Sequence, residues 1–555
     1  VIGRSRLLPI ALLMATVGAC RGDEDAKKSP EVAAVEGDAT ATAAVEPPEP
    51  IWTPLGPALT PELPVDPEQP LVIAHARQLE NLADLEQIER LDLALSPADA
   101  TERPDTALPP ALAGSDRCDG LDLLRLAQRA PKLRSLRISG CQAAVHAGLS
   151  AFAHSLRELE LVDLTLDGVT AGRLAQLEHL ESLTLTRVKP GPEPVEHLGR
   201  TLSLRSLTLR ELDEDSMIGD LLGDIPSLRH VRLEGPWARH RAMLSLSKAK
   251  RLEVLELVDT GIGNFSLNQI HGLSKLHTVD WTGPTFNDNS PLHLRELPVR
   301  RFRCACPGFG DVGLRHLRYL TQLQTLELPR SEISSAGLAE LEALPDLREI
   351  EILHRDVDGE GFAALATLPA LVRLRLGRTV LEDPTTPHLG EITRLQELSL
   401  EYENFGDVGA AQLAPLVDLR VLDLGHTSIS DEGLRHLAGL SKLVELELHH
   451  TRITNRGLAH LAKLTSLRVL ELDHTDLVDD GVAHLSGLSQ LEHLRLDHTL
   501  ITDRSIEALL GLEALRSLNL ADTVVTREGT AKLSQLPALS AVNLDGTRAA
   551  LERDR

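Results

Sequence analysis

A 24-residue period runs without a slip from Leu419 to Ala538, and few folds accept so strict a repeat. Within it the pattern L-x-x-L-x-L-x-x-T is anchored at Leu419, Leu443, Leu467, Leu491 and Leu515. It closes eight positions later at Thr427, Thr451, Thr475, Thr499 and Thr523. A fixed period of this length means one supersecondary unit stacked many times. The register extends back through anchors at Leu133, Leu156, Leu180, Leu204, Leu228, Leu252, Leu276, Val299, Leu323, Leu347, Leu371 and Leu395. All steps are 24 residues except two of 23, after Leu133 and after Leu276. With a stub from Leu539, the array holds seventeen full units, so most of the 555 residues read as one repeat domain.

Each unit decomposes alike. In Leu443-Val-Glu-Leu446-Glu-Leu448 the leucines alternate with other residues at the period of a half-buried strand. Thr451 falls where the strand must turn, and its hydroxyl can bond nearby backbone. Ile453 returns to the core, and Gly457 precedes Leu458, Leu461 and Leu464, which share one face of a short helix. Strand and helix alternate, so successive strands are expected to lie parallel with the helices on the opposite side. One unit cannot bury enough apolar surface to offset its own ordering entropy, so stability has to come from stacking.

These residues justify a comparison. The units resemble leucine-rich repeats, and Thr499-Leu-Ile501-Thr-Asp503 and Gly457-Leu-Ala-His-Leu461-Ala look like the ribonuclease-inhibitor-like and bacterial GALA-type classes. The likeness covers Leu133 to Thr547 and departs from many members in placing Thr, not Asn, at the turn. It implies an α/β solenoid, a horseshoe with a parallel concave sheet and short convex helices, whose concave face binds a protein partner.

The segments before the array read differently. Arg4 and Arg6 precede an apolar run from Leu7 to Val17 that ends in Val-Gly-Ala-Cys20, the layout of a secretory signal. The run is too short to span a bilayer. It resembles a bacterial lipobox, which implies cleavage before Cys20 and lipidation of that cysteine; an ordinary signal peptide is the alternative. Arg21 stands where the inner-membrane retention signal would place Asp, which favours the outer membrane of a Gram-negative cell. Residues 1–20 are thus read as signal and 21–65, poor in large apolar residues, as a disordered tether. Residues 66–132 read as an N-terminal cap with one irregular repeat, 133–547 as the array and 548–555 as a tail.

A formal charge of −25 argues against nucleic-acid recognition, which needs a basic footprint. Function is therefore sought at anchor positions +1, +2, +4, +6 and +7, expected on the sheet face and its rim. At +7, His426, His450, His474 and His498 occupy consecutive rungs, with Asp423, Glu447, His449, Glu471, Asp473 and Asp497 around them. Rungs about 4.8 Å apart would stack these imidazoles into a column. The column reads either as a repeated exposed histidine solvated by acids, sensitive to pH, or as a metal- or polysaccharide-binding surface. No metal or cofactor is assigned on this basis. Upstream, Arg300, Arg301 and Arg303 share one rung, and Arg373 and Arg375 lie three rungs on, suggesting a mixed-to-basic zone that orients a protein partner.

Five cysteines are too few for a disulfide framework. Cys304 at +5 is expected as a buried free thiol and Cys306 at +7 as exposed. The two are not paired, because one intervening residue strains a bridge. Cys141 takes the turn position, and pairing with Cys118 is permitted in an exported chain. Trp281 at +5 reads as core and Trp237 at +9 as exposed. No H-E-x-x-H, G-x-S-x-G or phosphate-cradling glycine loop occurs, and the chain is read as a non-enzyme. If the lipobox reading is right, Cys20→Ser abolishes palmitate labelling of the full chain in the producing cells; undiminished labelling refutes it.

Overall fold

The structure is a computed structural model and describes residues 71–73, 85, 88–93, 121–191, 204–213, 217–353, 357–377, 388–401 and 404–553. The expected signal, Cys20 and tether, most of the cap insertion and Cys118 lie outside these residues. The chain divides into two units, Val1–Leu59 and Thr60–Arg555, and every described residue belongs to the second.

Among the described residues twenty strands form one sheet, and every pairing in it is parallel. Eighteen of the strands fall one per anchor, from Ser135–Ser139 to Ala541–Asn543. Leu71–Ile73 and Arg90–Leu93 extend the sheet at its N-terminal end. Pairing keeps the repeat register, with Val421 opposite Glu445 and Glu445 opposite Val469. The two 23-residue steps reappear as Ser135 opposite Glu158 and Thr278 opposite Arg301, so the missing residue is absorbed before each strand starts.

Helices follow the strands. Asn455–Leu461 buries Leu458 and Leu461, while Leu446 and Leu448 come in from the strand side. The buried aliphatics from Leu85 to Leu536 form one continuous cluster. This is the α/β leucine-rich-repeat solenoid that the period implies.

The turn threonines act as anticipated. Thr427, Thr451, Thr475, Thr499 and Thr523 each donate a hydroxyl hydrogen bond to the carbonyl three residues back, at 2.5–2.7 Å. A second device was not anticipated. In several rungs the aspartate that opens a helix accepts from the residue that caps the next one. Asp431 takes the Thr454 N–H at 2.8 Å and its hydroxyl at 2.7 Å, and Asp479 and Asp503 repeat this with Thr502 and Thr526. A Cβ on Gly457 or Gly529 would collide with the carboxylate of Asp431 or Asp503, so glycine recurs there to admit the aspartate of the preceding rung.

Two side-chain expectations are overturned. Trp237 is buried, its indole N–H donating to the Glu234 carbonyl at 2.8 Å, because the chain folds inward directly after the turn. Cys304 and Cys306 are bonded to each other, and Cys306 is buried rather than exposed. Two residues of regular strand advance about 6.6 Å. These two Cα atoms are only 5.2 Å apart, because the strand ends at Ala305 and the chain contracts as it turns, bringing both side chains within bridging reach. Cys141 is also disulfide-bonded. Trp281 is core, as expected, stacked on Phe286 and edge-on to Phe302.

Gly457→Ala is expected to lower stability by about 1–2 kcal/mol, overpacking outweighing alanine's helix preference. Gly439→Ala, with open space at its Cβ, is expected to be tolerated. Urea midpoints of the two variants check this.

Candidate functional site

Positions +2 and +4 of each rung stand on the outer face of the sheet, where the 24-residue step aligns them into rows. Along much of the face these rows neutralise themselves. His230 and Arg232 hold Glu256 at 2.8 and 2.7 Å, and the His230 hydrogen bond, followed by that of Arg232, pulls its pKa down to about 2. Arg303 contacts Asp280 at 3.1 Å and Glu327 at 3.5 Å, and Arg301 reaches Glu327 at 4.0 Å. Arg373 pairs with Glu349 and, at 3.8 Å, with Glu397; Arg375 pairs with Glu351 at 3.8 Å. The central arginines are therefore rungs of an ion-pair ladder, and only Arg300, at the strand entrance, is exposed among those five.

Beyond Ser399 the compensation fails. Asp423, Glu447 and Glu471 follow one another at +4, with Glu445 beside them at +2, and Asp423 and Glu447 are buried. Arg495 is shared among Glu471 at 3.2 Å, Asp473 at 3.5 Å and Asp497 at 3.4 Å. Burial, then the charges of Asp423, Glu471 and Glu445, hold the Glu447 carboxyl far above the usual range. Burial pushes Glu471 up to about 7 against the pull of Arg495.

The histidine column exists. His426, His450, His474 and His498 stack with ring centroids 3.9–4.1 Å apart and planes within 14–22° of parallel. All four have φ of 54–57°, in the left-handed region. So do Asp163, Arg187, Glu211, Asp259 and Asp522, the +7 residues of other rungs. In these rungs position +7 is thus a left-handed turn, a conformation in which His, Asn and Asp are enriched among non-glycine residues. Backbone geometry accounts for the recurrence of a tolerant residue there; the stack follows from rung spacing. Burial, then His450 and His449, lowers the pKa of His426 to about 4, and burial with His474 lowers that of His450. His474 and His498 contact Asp473 and Asp497 through Nδ1 at 3.1 and 3.3 Å, and His498 Nε2 reaches Asp522 at 3.2 Å.

Two participants escaped the sequence reading. Glu401 and Arg495 stand at +6 and +4 of their rungs, and Glu401 Oε1 lies 3.9 Å from His449 Nε2. Reading the +6 column as a whole (Glu401, Gly425, His449, Asp473, Asp497) would have found Glu401.

Comparison with known proteins agrees with the fold. Residues 465–525 and 418–438 match two family models, each described as leucine rich repeat. No curated protein matches the chain. Among solved structures, an internalin from Listeria monocytogenes is similar at 18% identity and a TM-score of 0.35, over 68% of this chain and 91% of that one. A leucine-rich-repeat protein of Leptospira interrogans is similar at 16% and 0.39, over 68% and 92%. The complex of TLR13 with ssRNA13 gives 14% and 0.46, over 76% of each chain. At these scores the fold assignment rests on the repeat geometry itself.

The raised Glu471 pKa has a definite sign. A carboxyl that binds its proton more tightly when folded loses stability as pH rises from its unfolded pKa, near 4.5, through about 7. Glu471→Gln removes that loss. The difference in Tm between Glu471→Gln and the unsubstituted protein is expected to shift in favour of the variant between pH 5 and pH 8, as scanning calorimetry at the two values checks.

Proposed function

We propose that this chain is a binding protein, not an enzyme, whose sheet face receives a protein partner. The observation that carries this reading is the unbroken run of twenty parallel strands, whose outward rows are charged in blocks. Such a face is a broad template that contributes many small contacts and sets orientation by charge. Leucine-rich-repeat matches point the same way, since these scaffolds are generally protein-interaction modules. A hollow of about 240 Å³ on this face, lined by Arg90, Asp92, Arg137 and Glu160 among others, falls below the roughly 300–1,000 Å³ of small-ligand pockets. The self-paired central arginines and the acid-rich C-terminal rungs present distinct surfaces, so a partner would dock in one orientation. We extend the proposal to export and lipid anchoring through Cys20 at the outer membrane of a Gram-negative cell, on the strength of the signal and lipobox residues. Nucleic acid is not the partner in this reading.

The decisive experiment is affinity capture with the full chain, followed by charge reversal on either side of the repeat. Arg300→Glu with Arg301→Glu, on the sheet side, is expected to weaken binding of the captured protein about tenfold, ~1.4 kcal/mol. Arg315→Glu with Arg318→Glu, on and just after the helix Asp311–Leu317, leaves it unchanged. The reverse outcome rejects the sheet face.

A further inference from the structure

The +6 and +7 columns meet at His449, and there the geometry differs from the rest of the stack. The His449 ring crosses that of His426 at 87°, with centroids 5.1 Å apart. Parallel imidazoles about 4 Å apart aim their in-plane lone pairs side by side, so one ion cannot lie in both ring planes. Crossed rings can aim at a common point.

Donor atoms converge on the same place. Ligating atoms of Glu401, His426 and His449 all lie within 4.8 Å of one another, and so do those of Asp423, Glu447 and His449. Two ligands at about 2.0–2.2 Å from one zinc ion stand at most about 4.4 Å apart, so small side-chain adjustments close either set. The sets His450–Asp473–His474 and His474–Asp497–His498 are equally compact, but each contains a stacked pair. In each, moreover, the aspartate already faces the Nδ1 of the neighbouring imidazole.

Three features single out His449. Its Nδ1 is buried and has no hydrogen-bond partner, whereas buried polar atoms are ordinarily satisfied. Its ring occupies the space above Gly425, the +6 residue of the preceding rung, where any Cβ would collide with the imidazole. Beneath it the Asp423 carboxylate is held by the Ser399 hydroxyl at 2.8 Å and the Gly425 N–H at 2.9 Å. Each of those oxygens keeps a further lone pair, and outer hydrogen bonds of this kind fix a ligand's orientation.

We propose that His449, with His426 and Glu401, binds one divalent transition-metal ion of the zinc class, while Asp423 and Glu447, grouped with the same imidazole, supply the negative charge beside it. Mixed imidazole and carboxylate donors suit zinc, cobalt or nickel, whereas calcium and magnesium take oxygen ligands alone. The bound ion takes Nε2 of His449, the nitrogen nearest Glu401, which leaves the buried Nδ1 to carry the ring proton, and its charge offsets the acids of these rungs. It stiffens the C-terminal part of the sheet face. The proposal stands apart from the protein-binding reading, since its probe is the metal alone.

The test uses the full chain, stripped with chelator and titrated with cobalt(II), whose visible absorption reports coordination. One equivalent is expected to bind with a spectrum distinct from the hexaaqua ion, and zinc is expected to displace it. His449→Ala and His426→Ala are expected to weaken binding at least tenfold, while His474→Ala and His498→Ala leave it within twofold. Glu447→Gln, which keeps the side-chain volume, is expected to weaken it as well and guards against a folding defect in the histidine variants. The proposal is overturned by absent binding, by binding that survives His449→Ala, or by greater loss in His474→Ala than in His426→Ala.

Discussion

Every rung of this protein leaves an open backbone edge that only the next rung can close. The N–H groups of Arg468 and Val469 both donate to the Val444 carbonyl, and the pattern recurs at each step. On the far side of the turn, the Asp431 carboxylate closes onto Thr454 in the same stride. Two ladders therefore advance together, one of backbone and one of side chain, and both fail if the repeat changes length between them. The length is conserved where both operate. In the two short steps the lost residue falls before the strand, where neither ladder is touched.

The same stacking forces side chains into rows. Residues 24 apart in the chain become neighbours about 4.8 Å apart in space, so charge along a row cannot be diluted by distance. From His230 to Glu397 the rows solve this by setting arginines among the acids, as Arg303 stands between Asp280 and Glu327. From Asp423 to Glu471 they do not, and the consequence is a set of carboxyls that hold their protons tightly beside a set of imidazoles that shed them. Unrelieved electrostatics of this kind are disfavoured in a structural scaffold, and perturbed groups gather at functional sites. The C-terminal rungs are accordingly where perturbed groups are concentrated, while the central ladder is neutralised by its own ion pairs.

Much of this was legible from spacing alone. The leucines at +3 and +5 and the threonine at +8 have the burial and hydrogen bonds that their period implies. The roles that stayed hidden depend on contacts between rungs or on backbone sign. Nothing in the sequence singles out Asp431 until Thr454 is placed against it, and Gly457 only precedes the helix leucines until the same carboxylate is seen to need its missing side chain. The histidine column was visible, but its left-handed backbone was not, because a single sequence reports residue type and not φ. The Cys304–Cys306 bridge was missed because regular strand geometry was assumed past the point where the strand ends.

The sequence by itself determined the repeat, its register, the parallel order of the strands and the identity of the core, since all of these follow from a period that only stacking can satisfy. It also determined which positions share a row. Tertiary structure alone decided how members of a row relate: that the central arginines are paired, that three imidazole pairs stack while His449 turns across His426, and that one of its nitrogens is left buried without a partner. The reason is physical. Periodicity places Cα atoms, but pairing, ring orientation and desolvation depend on side-chain angles set jointly by neighbours 24 residues away.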